Sequence, residues 1–208
     1  MKHVVPRLAG AALGALALMA PSAQASQLVP QNLTQMIRSS DVIVMGEVAK
    51  VTDGIEHGVP YTEVTLKVKG SLKKDLKEKS MYSFRQYGLL KARKMPDGRY
   101  MLPARIEGMP TWSVGEQVTT FLNKPSSHNG LTSPVGLAQG KLTMGGDKAV
   151  NGFHNQGLFK GVKLEGATLS AEEKAMVAKP HGAVASGVFL GLVKRAVKEQ
   201  WVETGVMR

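Results

Sequence analysis

Two neighbouring segments of the chain repeat apolar residues with the period of a β-strand. In YTEVTLKVKGSLK, Val64, Leu66 and Val68 fall on one face and polar residues fall on the other. In the preceding DVIVMGEV, apolar residues occupy both faces, which is typical of a central strand, and Gly46 predicts a bend of the sheet. Short strands separated by turns such as Pro96-Asp97-Gly98 continue to about residue 145. This pattern predicts a mainly β fold, a small antiparallel barrel or sandwich.

Helices are predicted at both ends of this β region. Residues 30–40 form a short amphipathic pattern, and Ser170 and Glu173 have the spacing of a capping box, so a second short helix begins there and stops before Pro180. A longer helix is predicted from about Ser186 to Val202. We expect it to pack over the barrel, although an amphipathic helix of this kind also suits a membrane surface or a partner. Its expected apolar side consists of Phe189, Leu192, Val193, Ala196, Gln200 and Trp201.

The first 25 residues have the three parts of a secretory signal peptide. Lys2 and Arg7 precede an apolar run over residues 8–20, and Ala23-Gln24-Ala25 offers the small-x-small pattern of a cleavage site between Ala25 and Ser26. The run is too short to span a bilayer of about 30 Å. We therefore expect a protein exported to the periplasm or the medium, with no membrane-spanning segment in the mature chain. Its expected parts are a β domain over residues 26–165 and a helical segment over residues 166–208 packed on it.

The composition excludes several kinds of chemistry. The chain has no cysteine, so it has no disulfide, thiolate nucleophile or cysteine-based zinc site. No metal site and no cofactor are predicted, because no two histidines have a ligand spacing such as i, i+4. The four histidines after the signal peptide each lie beside Gly or Asn: His57, His128, His154 and His181.

Positive charge is concentrated in one part of the chain. The net charge is +11, and residues 67–105 carry twelve lysines and arginines against three carboxylates. A surplus of this size creates a local positive field that attracts anionic partners, although the same residues also suit a merely solvated face. The candidate anion-binding residues are Lys67, Lys69, Lys73, Lys74, Lys77, Arg85, Arg93 and Lys94. Trp112 and Tyr87 are candidates for an interaction surface.

Nucleic acid is a less suitable partner for this segment. Tyr82, Phe84 and Tyr87 resemble the aromatic residues of a single-strand binding platform. However, Phe84 should face away from Arg85 on a strand, and export removes most nucleic acid from reach. Anionic envelope polymers, lipid head groups and acidic protein surfaces are the expected partners.

The segment GMPTWSVGEQVTTFL, residues 108–122, predicts a turn followed by a strand, with Trp112 as an anchor in the core or at its rim. A hydrolase that uses Glu107, Glu116 or Ser113 is the enzymatic alternative. The chain contains neither Gly-x-Ser-x-Gly nor His-Glu-x-x-His, and the Gly-x-x-x-Gly-Lys at residues 136–141 lacks the remainder of a phosphate loop.

A third possibility is a peptidase inhibitor. A barrel of this kind can present a loop to the cleft of a protease. The candidate loops are residues 88–110 and 124–134.

Five motifs in this order carry a family resemblance: DVIVMGEVAKV, YTEVTLKVKGSLK, FRQYG, GMPTWSVGEQVTTFL and VGLAQGKL. With the signal peptide, the chain resembles a group of uncharacterised exported bacterial β-proteins over residues 33–145 and the final helix. It departs from their pattern in KGSLKKDLKEK and at Leu142. The resemblance implies a single small domain loosely similar to oligonucleotide/oligosaccharide-binding (OB) barrels, and it implies no catalytic residues.

Together these observations predict an exported, non-catalytic binding module. Its expected ligand is an anionic component of the envelope or a protein partner. The peptidase inhibitor and the hydrolase remain the alternatives.

Overall fold

A computed structural model describes residues 28–104 and 106–208. The predicted signal peptide and its predicted cleavage site at Ala25 and Ser26 lie outside these residues. The described part is mainly β, as predicted, with one short helix before the sheet and two helices near the C-terminus. In chain order its elements are α1 (Leu33–Ser39), β1 (Val42–Glu56), β2 (Val59–Lys73), β3 (Met81–Tyr87), β4 (Arg93–Lys94), β5 (Tyr100–Met101), β6 (Gln117–Leu122), β7 (Lys141–Gly145), β8 (Lys148–Asn151), α2 (Ala171–Val177), β9 (Val184–Ala185) and α3 (Ser186–Lys198).

Seven strands form one sheet in the order β3-β2-β1-β6-β7-β8-β9, and β4 and β5 form a separate hairpin. Every neighbouring pair in the large sheet is antiparallel. Within the described part of the chain β3 and β9 are edge strands that do not pair with each other, so the sheet is open. Of the predicted alternatives, the sandwich-like arrangement therefore fits better than a closed barrel.

The predicted central strand is confirmed, because β1 lies between β2 and β6 and is buried on both faces. Val42 and Val44 point to one face and Ile43 points to the other. The pairing of β1 with β2 shifts at three places, and one of them, between Met45 and Gly46, lies where the bend is predicted. A side chain at Gly46 would place its Cβ 2.8 Å from the carbonyl oxygen of Lys67, so the two strands approach closely only because a glycine stands there.

The two faces of the sheet belong to different hydrophobic cores. The first core lies on one face of β1, β2, β3 and β6 and includes Val42, Val44, Val64, Leu66, Val68, Phe84, Trp112 and Val118. The second core lies between the other face and the three helices, and it includes Leu33, Ile37, Ile43, Phe121, Leu142, Met176, Phe189 and Leu192. At the centre of the second core the rings of Phe121 and Phe189 meet edge to face, with centroids 6.4 Å apart.

The helix predictions are confirmed at their starts and corrected at one end. Ser170 and Glu173 form the capping box of α2, with Ser170 Oγ accepting from the Glu173 N–H at 3.1 Å. However, α3 ends at Lys198 and does not continue to residue 202. Gln200 takes a positive φ of 53° and is exposed. The Trp201 N–H after it donates to the carbonyl oxygen of Ala196 at 2.9 Å, and Trp201 belongs to the second core.

None of the helices in residues 28–104 and 106–208 combines the length and the apolar character that crossing a bilayer requires.

Candidate functional site

Six lysines lie at the end of the β1–β2 hairpin that is remote from its turn. Lys67 and Lys69 are exposed on the outer face of β2, since the alternation that buries Val68 turns its neighbours outward. The others follow at the end of β2 and in the connection to β3. We call this group the lysine surface, and its members are Lys67, Lys69, Lys73, Lys74, Lys77 and Lys79. Lys79 was not among the predicted anion-binding residues, although the run Lys77-Glu78-Lys79 could have indicated it.

Two members of the lysine surface also make contacts within the fold. Lys73 Nζ donates to the carbonyl oxygen of Ile37 at 2.9 Å, and Lys74 Nζ lies 3.8 Å from the Asp41 carboxylate. The side chains of Lys67, Lys69, Lys77 and Lys79 are exposed and therefore produce most of the outward field.

Arg85 does not belong to the lysine surface, which corrects its prediction as an anion-binding residue. Its Nε donates to Glu63 at 2.7 Å and its Nη1 donates to Glu56 at 2.8 Å, while the guanidinium lies 4.2 Å from the centre of the Tyr61 ring. Two carboxylates already compensate its charge. Arg85 therefore adds little to the positive field at this end of the hairpin.

Arg93 is likewise engaged within the fold. Its guanidinium bonds the carboxylate and the backbone carbonyl of Asp53, the latter at 2.7 Å. The same carboxylate accepts the backbone N–H of Leu90 at 2.8 Å, so it anchors the β4–β5 hairpin to β1. Burial by itself raises the pKa of Asp53, but the hydrogen bonds from Arg93 and the backbone outweigh it and hold the pKa below the usual value. Lys94 is exposed, yet it lies on this hairpin, near the β1–β2 turn and away from the lysine surface.

The predicted interaction surface at Trp112 is also wrong. Trp112 is only 8% exposed, and its ring packs edge to face on Phe84 with centroids 5.2 Å apart. The indole Nε1 donates to the side-chain oxygen of Gln86 at 2.9 Å, so the polar edge of the ring is satisfied inside the protein. Trp112 is an anchor of the first core, which agrees with the other role predicted for it from the sequence. Tyr87 is 42% exposed and remains available to a partner.

Glu116 and Lys141 form a largely buried ion pair that sequence reasoning missed. Lys141 Nζ lies 2.7 and 2.8 Å from the two carboxylate oxygens and donates also to the carbonyl oxygen of Thr111 at 2.7 Å. Thr143 Oγ1 donates to Glu116 at 2.6 Å. Burial alone raises the pKa of Glu116, but the bonds from Lys141 and Thr143 and the ammonium charge outweigh it and lower the pKa. This cluster ties the 108–116 loop to β7.

This geometry gives little support to a hydrolase. The Glu116 carboxylate is occupied by Lys141 and Thr143, and its lowered pKa is opposite to what a general acid needs. Ser113 is exposed, and its backbone bonds Glu116: its N–H donates to the carboxylate at 3.3 Å, and its carbonyl oxygen accepts the Glu116 N–H at 3.0 Å. Glu107 is exposed in the preceding turn.

The histidines do not assemble a metal centre in the described residues. His57 and His128 line one shallow cleft of about 280 Å³ beside Arg85. His154 and His181 lie in turns near β8 and β9. Residues 28–104 and 106–208 hold no group of three or more histidines and carboxylates placed to bind a metal ion.

The two predicted inhibitor loops have different structures. The first contains the β4–β5 hairpin, which turns at Pro96-Asp97-Gly98 as predicted and exposes Tyr100 by 63% and Leu102 by 69%. The second lies along the edge of the large sheet, where the Thr132 N–H donates to the Arg85 carbonyl oxygen at 2.8 Å. Only the first loop projects apolar side chains.

Comparison with known proteins returns no match: no protein-family model, no curated protein and no solved structure matches this chain. The resemblance to exported bacterial β-proteins therefore stays a prediction, and functional inference depends on the geometry of the surfaces described above.

Proposed function

We propose that the protein is an exported, non-catalytic binding module that holds an anionic polymer of the cell envelope on the lysine surface. The observation that carries this proposal is the exposure of Lys67, Lys69, Lys77 and Lys79 together at one end of the sheet. Other cations of the basic segment, Arg85 and Arg93, are compensated by carboxylates of the fold. Residues 67–79 hold six lysines against Asp75 and Glu78, so this end of the sheet keeps a local surplus of positive charge.

The lysine surface stands on a rigid support. Lys67 and Lys69 project from a strand whose opposite face, at Leu66 and Val68, is buried in the first core. A polyanion that lies across β2 can contact several ammonium groups at once, and the backbone beneath them does not need to be ordered on binding. Each exposed ion pair contributes only about 0.2–1 kcal/mol, so binding of the polymer depends on several of these contacts forming together.

The test measures binding of dextran sulfate, with neutral dextran as the probe without charge. The protein is prepared as an expression host exports it, and mass spectrometry of its N-terminus also tests the predicted cleavage. We expect dextran sulfate alone to bind. Its affinity should fall steeply between about 0.02 and about 0.5 M salt, because charges on the surface are screened within about 8–10 Å.

A charge-reversed pair and a matched control locate the site. Lys69→Glu/Lys77→Glu should weaken binding about tenfold at low salt, since both lysines are exposed and neither contacts Asp41 or Ile37. Lys124→Glu/Lys163→Glu makes the same change in net charge at two exposed lysines elsewhere and should cost far less. Equal losses in the two variants, or an affinity that salt does not change, would contradict the proposal. Capture of one protein through high salt would favour a protein partner.

A peptidase inhibitor is the second candidate, and the exposed Tyr100 and Leu102 on the β4–β5 hairpin favour it. Apolar side chains on a hairpin anchored through Asp53 could enter the specificity pocket of a protease. Inhibition of a protease panel that is lost in Tyr100→Ser/Leu102→Ser, and is unaffected by salt, would support this function over charge-driven binding.

A further inference from the structure

A groove of about 630 Å³ lies on the side of the molecule where α2 meets the turns after β8. Its walls come from three separate parts of the chain: residues 28–30, residues 153–160 and residues 177–181. The volume falls within the range of about 300–1,000 Å³ that is typical of small-molecule sites. None of its residues belongs to the lysine surface or to the β4–β5 hairpin.

Much of the groove lining is apolar. Phe153 and Phe159 contribute two aromatic rings, and Leu28, Val177 and Pro180 add further apolar surface. Phe153 is an exposed large hydrophobic residue, so its ring gives up contact with water when an apolar ligand enters. The free energy gained by removing this apolar surface from water favours a hydrocarbon chain over a polar ligand.

Hydrogen bonds join two of the segments that form the walls of the groove. Asn155 Nδ2 donates to the carbonyl oxygens of Ala149 and Gly182, at 3.0 Å each. The Gly182 N–H donates in return to the carbonyl oxygen of His154 at 2.6 Å. Since Asn155 is buried, these bonds are protected from water and connect the 153–160 turn to the segment before β9. A ligand would therefore meet a largely preformed site.

The ionisable residues of the groove are all basic. Lys160, Lys179 and His181 line it, and no carboxylate does. The amide of Gln139, which also lines it, is engaged with the backbone of residues 29–31 and Gly136. The charge of the groove thus complements an anion, whereas its apolar lining complements a hydrocarbon chain. Neither property alone would select one class of ligand.

From this combination we propose that the groove binds a single-chain amphiphile with an anionic head, of the fatty-acid class. The chain lies against Phe153, Phe159 and Val177, and the carboxylate points to Lys160 and Lys179. A cationic amphiphile of the same length meets like charges and binds more weakly. Each methylene buried in the groove should tighten binding about fourfold, which makes affinity depend strongly on chain length.

Calorimetric titration with laurate, decanoate and dodecyltrimethylammonium, below their micellar concentrations, tests both halves of the site. Laurate has two methylenes more than decanoate and should bind about fifteenfold more tightly, and dodecyltrimethylammonium should bind at least about tenfold more weakly than laurate. Chemical-shift changes in a two-dimensional NMR spectrum should cluster at Phe153, Lys160 and Val177. Equal binding of the two dodecyl compounds would overturn the proposal, as would shift changes at the lysine surface.

Three variants separate the contributions of charge and apolar contact. Lys160→Glu/Lys179→Glu should weaken laurate about tenfold while it strengthens dodecyltrimethylammonium, and Phe153→Ser should weaken both compounds. Lys198→Glu, at an exposed lysine of α3 outside the groove, should change neither. These substitutions lie at exposed positions, and an unchanged melting temperature verifies that each variant is folded. Unchanged laurate affinity in both groove variants would refute the site.

Discussion

Replacing Lys141 by methionine should destabilise the protein more than any substitution of an exposed lysine. Methionine retains the apolar stem but removes the ammonium that contacts both carboxylate oxygens of Glu116 and the carbonyl of Thr111. It also removes the positive charge that lies 4.8 Å from the centre of the Trp112 ring. The Glu116 carboxylate is then left in place without its counter-ion.

The expected loss in the free energy of unfolding follows from the burial of the Glu116–Lys141 pair. The side chains of Lys141 and Glu116 are 10% and 17% exposed. Removing one partner of a fully buried pair costs about 3–5 kcal/mol. Because water still reaches part of this pair, we expect the lower end, about 3 kcal/mol at pH 7.

The loss should depend on pH in a defined direction. In the native protein the pKa of Glu116 is lowered, so the stability that its charge contributes is present above the unfolded pKa of about 4.3 and is lost as the pH falls through the folded pKa. In the variant, burial without the ammonium should raise the pKa of Glu116 above the unfolded value. The variant therefore regains stability by protonation, and the difference between the two proteins should narrow as the pH falls from 7 toward 4.

Urea denaturation followed by tryptophan fluorescence measures this difference. With a slope of about 2 kcal/mol per molar urea, 3 kcal/mol moves the midpoint by about 1.5 M. Lys148→Met is the matched control, because Lys148 lies on the neighbouring strand β8 and its pair with Asp147 is exposed. It should change the free energy of unfolding by less than about 0.5 kcal/mol. If Lys141→Met costs no more than Lys148→Met, or if its cost grows at low pH, the structural role assigned to the pair is wrong.

Two further substitutions test the hydrogen bonds beside the groove and the close approach of β1 and β2. Asn155→Ala leaves two backbone carbonyl oxygens, including that of Gly182, without their donor and should cost about 2–4 kcal/mol, seen as a melting temperature lower by about 6–12 °C. Gly46→Ala forces a Cβ to within 2.8 Å of the Lys67 carbonyl oxygen and should cost about 1–3 kcal/mol in urea denaturation. Gly145→Ala, where an added Cβ meets no atom within 4 Å, serves as the control and should stay within about 0.5 kcal/mol.

The local elements of the fold were largely predictable. Alternation in β2 placed Val64, Leu66 and Val68 on the buried face, and the structure buries all three. The capping-box spacing at Ser170 located the start of α2 because the hydrogen bonds of a helix start involve neighbours only three residues apart. The end of α3 was less predictable, because Gln200 breaks the helix through a backbone conformation that no local residue pattern required.

The candidate surfaces were predictable only in part. The clustering of basic residues along the chain indicated the lysine surface, since adjacent positions on β2 and the following turn stay close in space. The same clustering gave a misleading prediction for Arg85, because its carboxylate partners Glu63 and Glu56 lie 22 and 29 residues away in the sequence. The burial of Trp112 depends on contact with Phe84, which lies on a different strand.

The sequence by itself determined most of the strands, helices and turns, because periodicity, capping and turn residues act between near neighbours. Strands β8 and β9 lie beyond the last predicted strand, near residue 145. Only the tertiary structure decided which charges face water and which compensate one another. The Glu116–Lys141 pair forms because β6 and β7 are adjacent in one register. The groove exists because three segments far apart in the chain converge. A one-residue shift in register would turn every side chain of a strand to the opposite face, so these contacts are properties of the assembled sheet and not of any single segment.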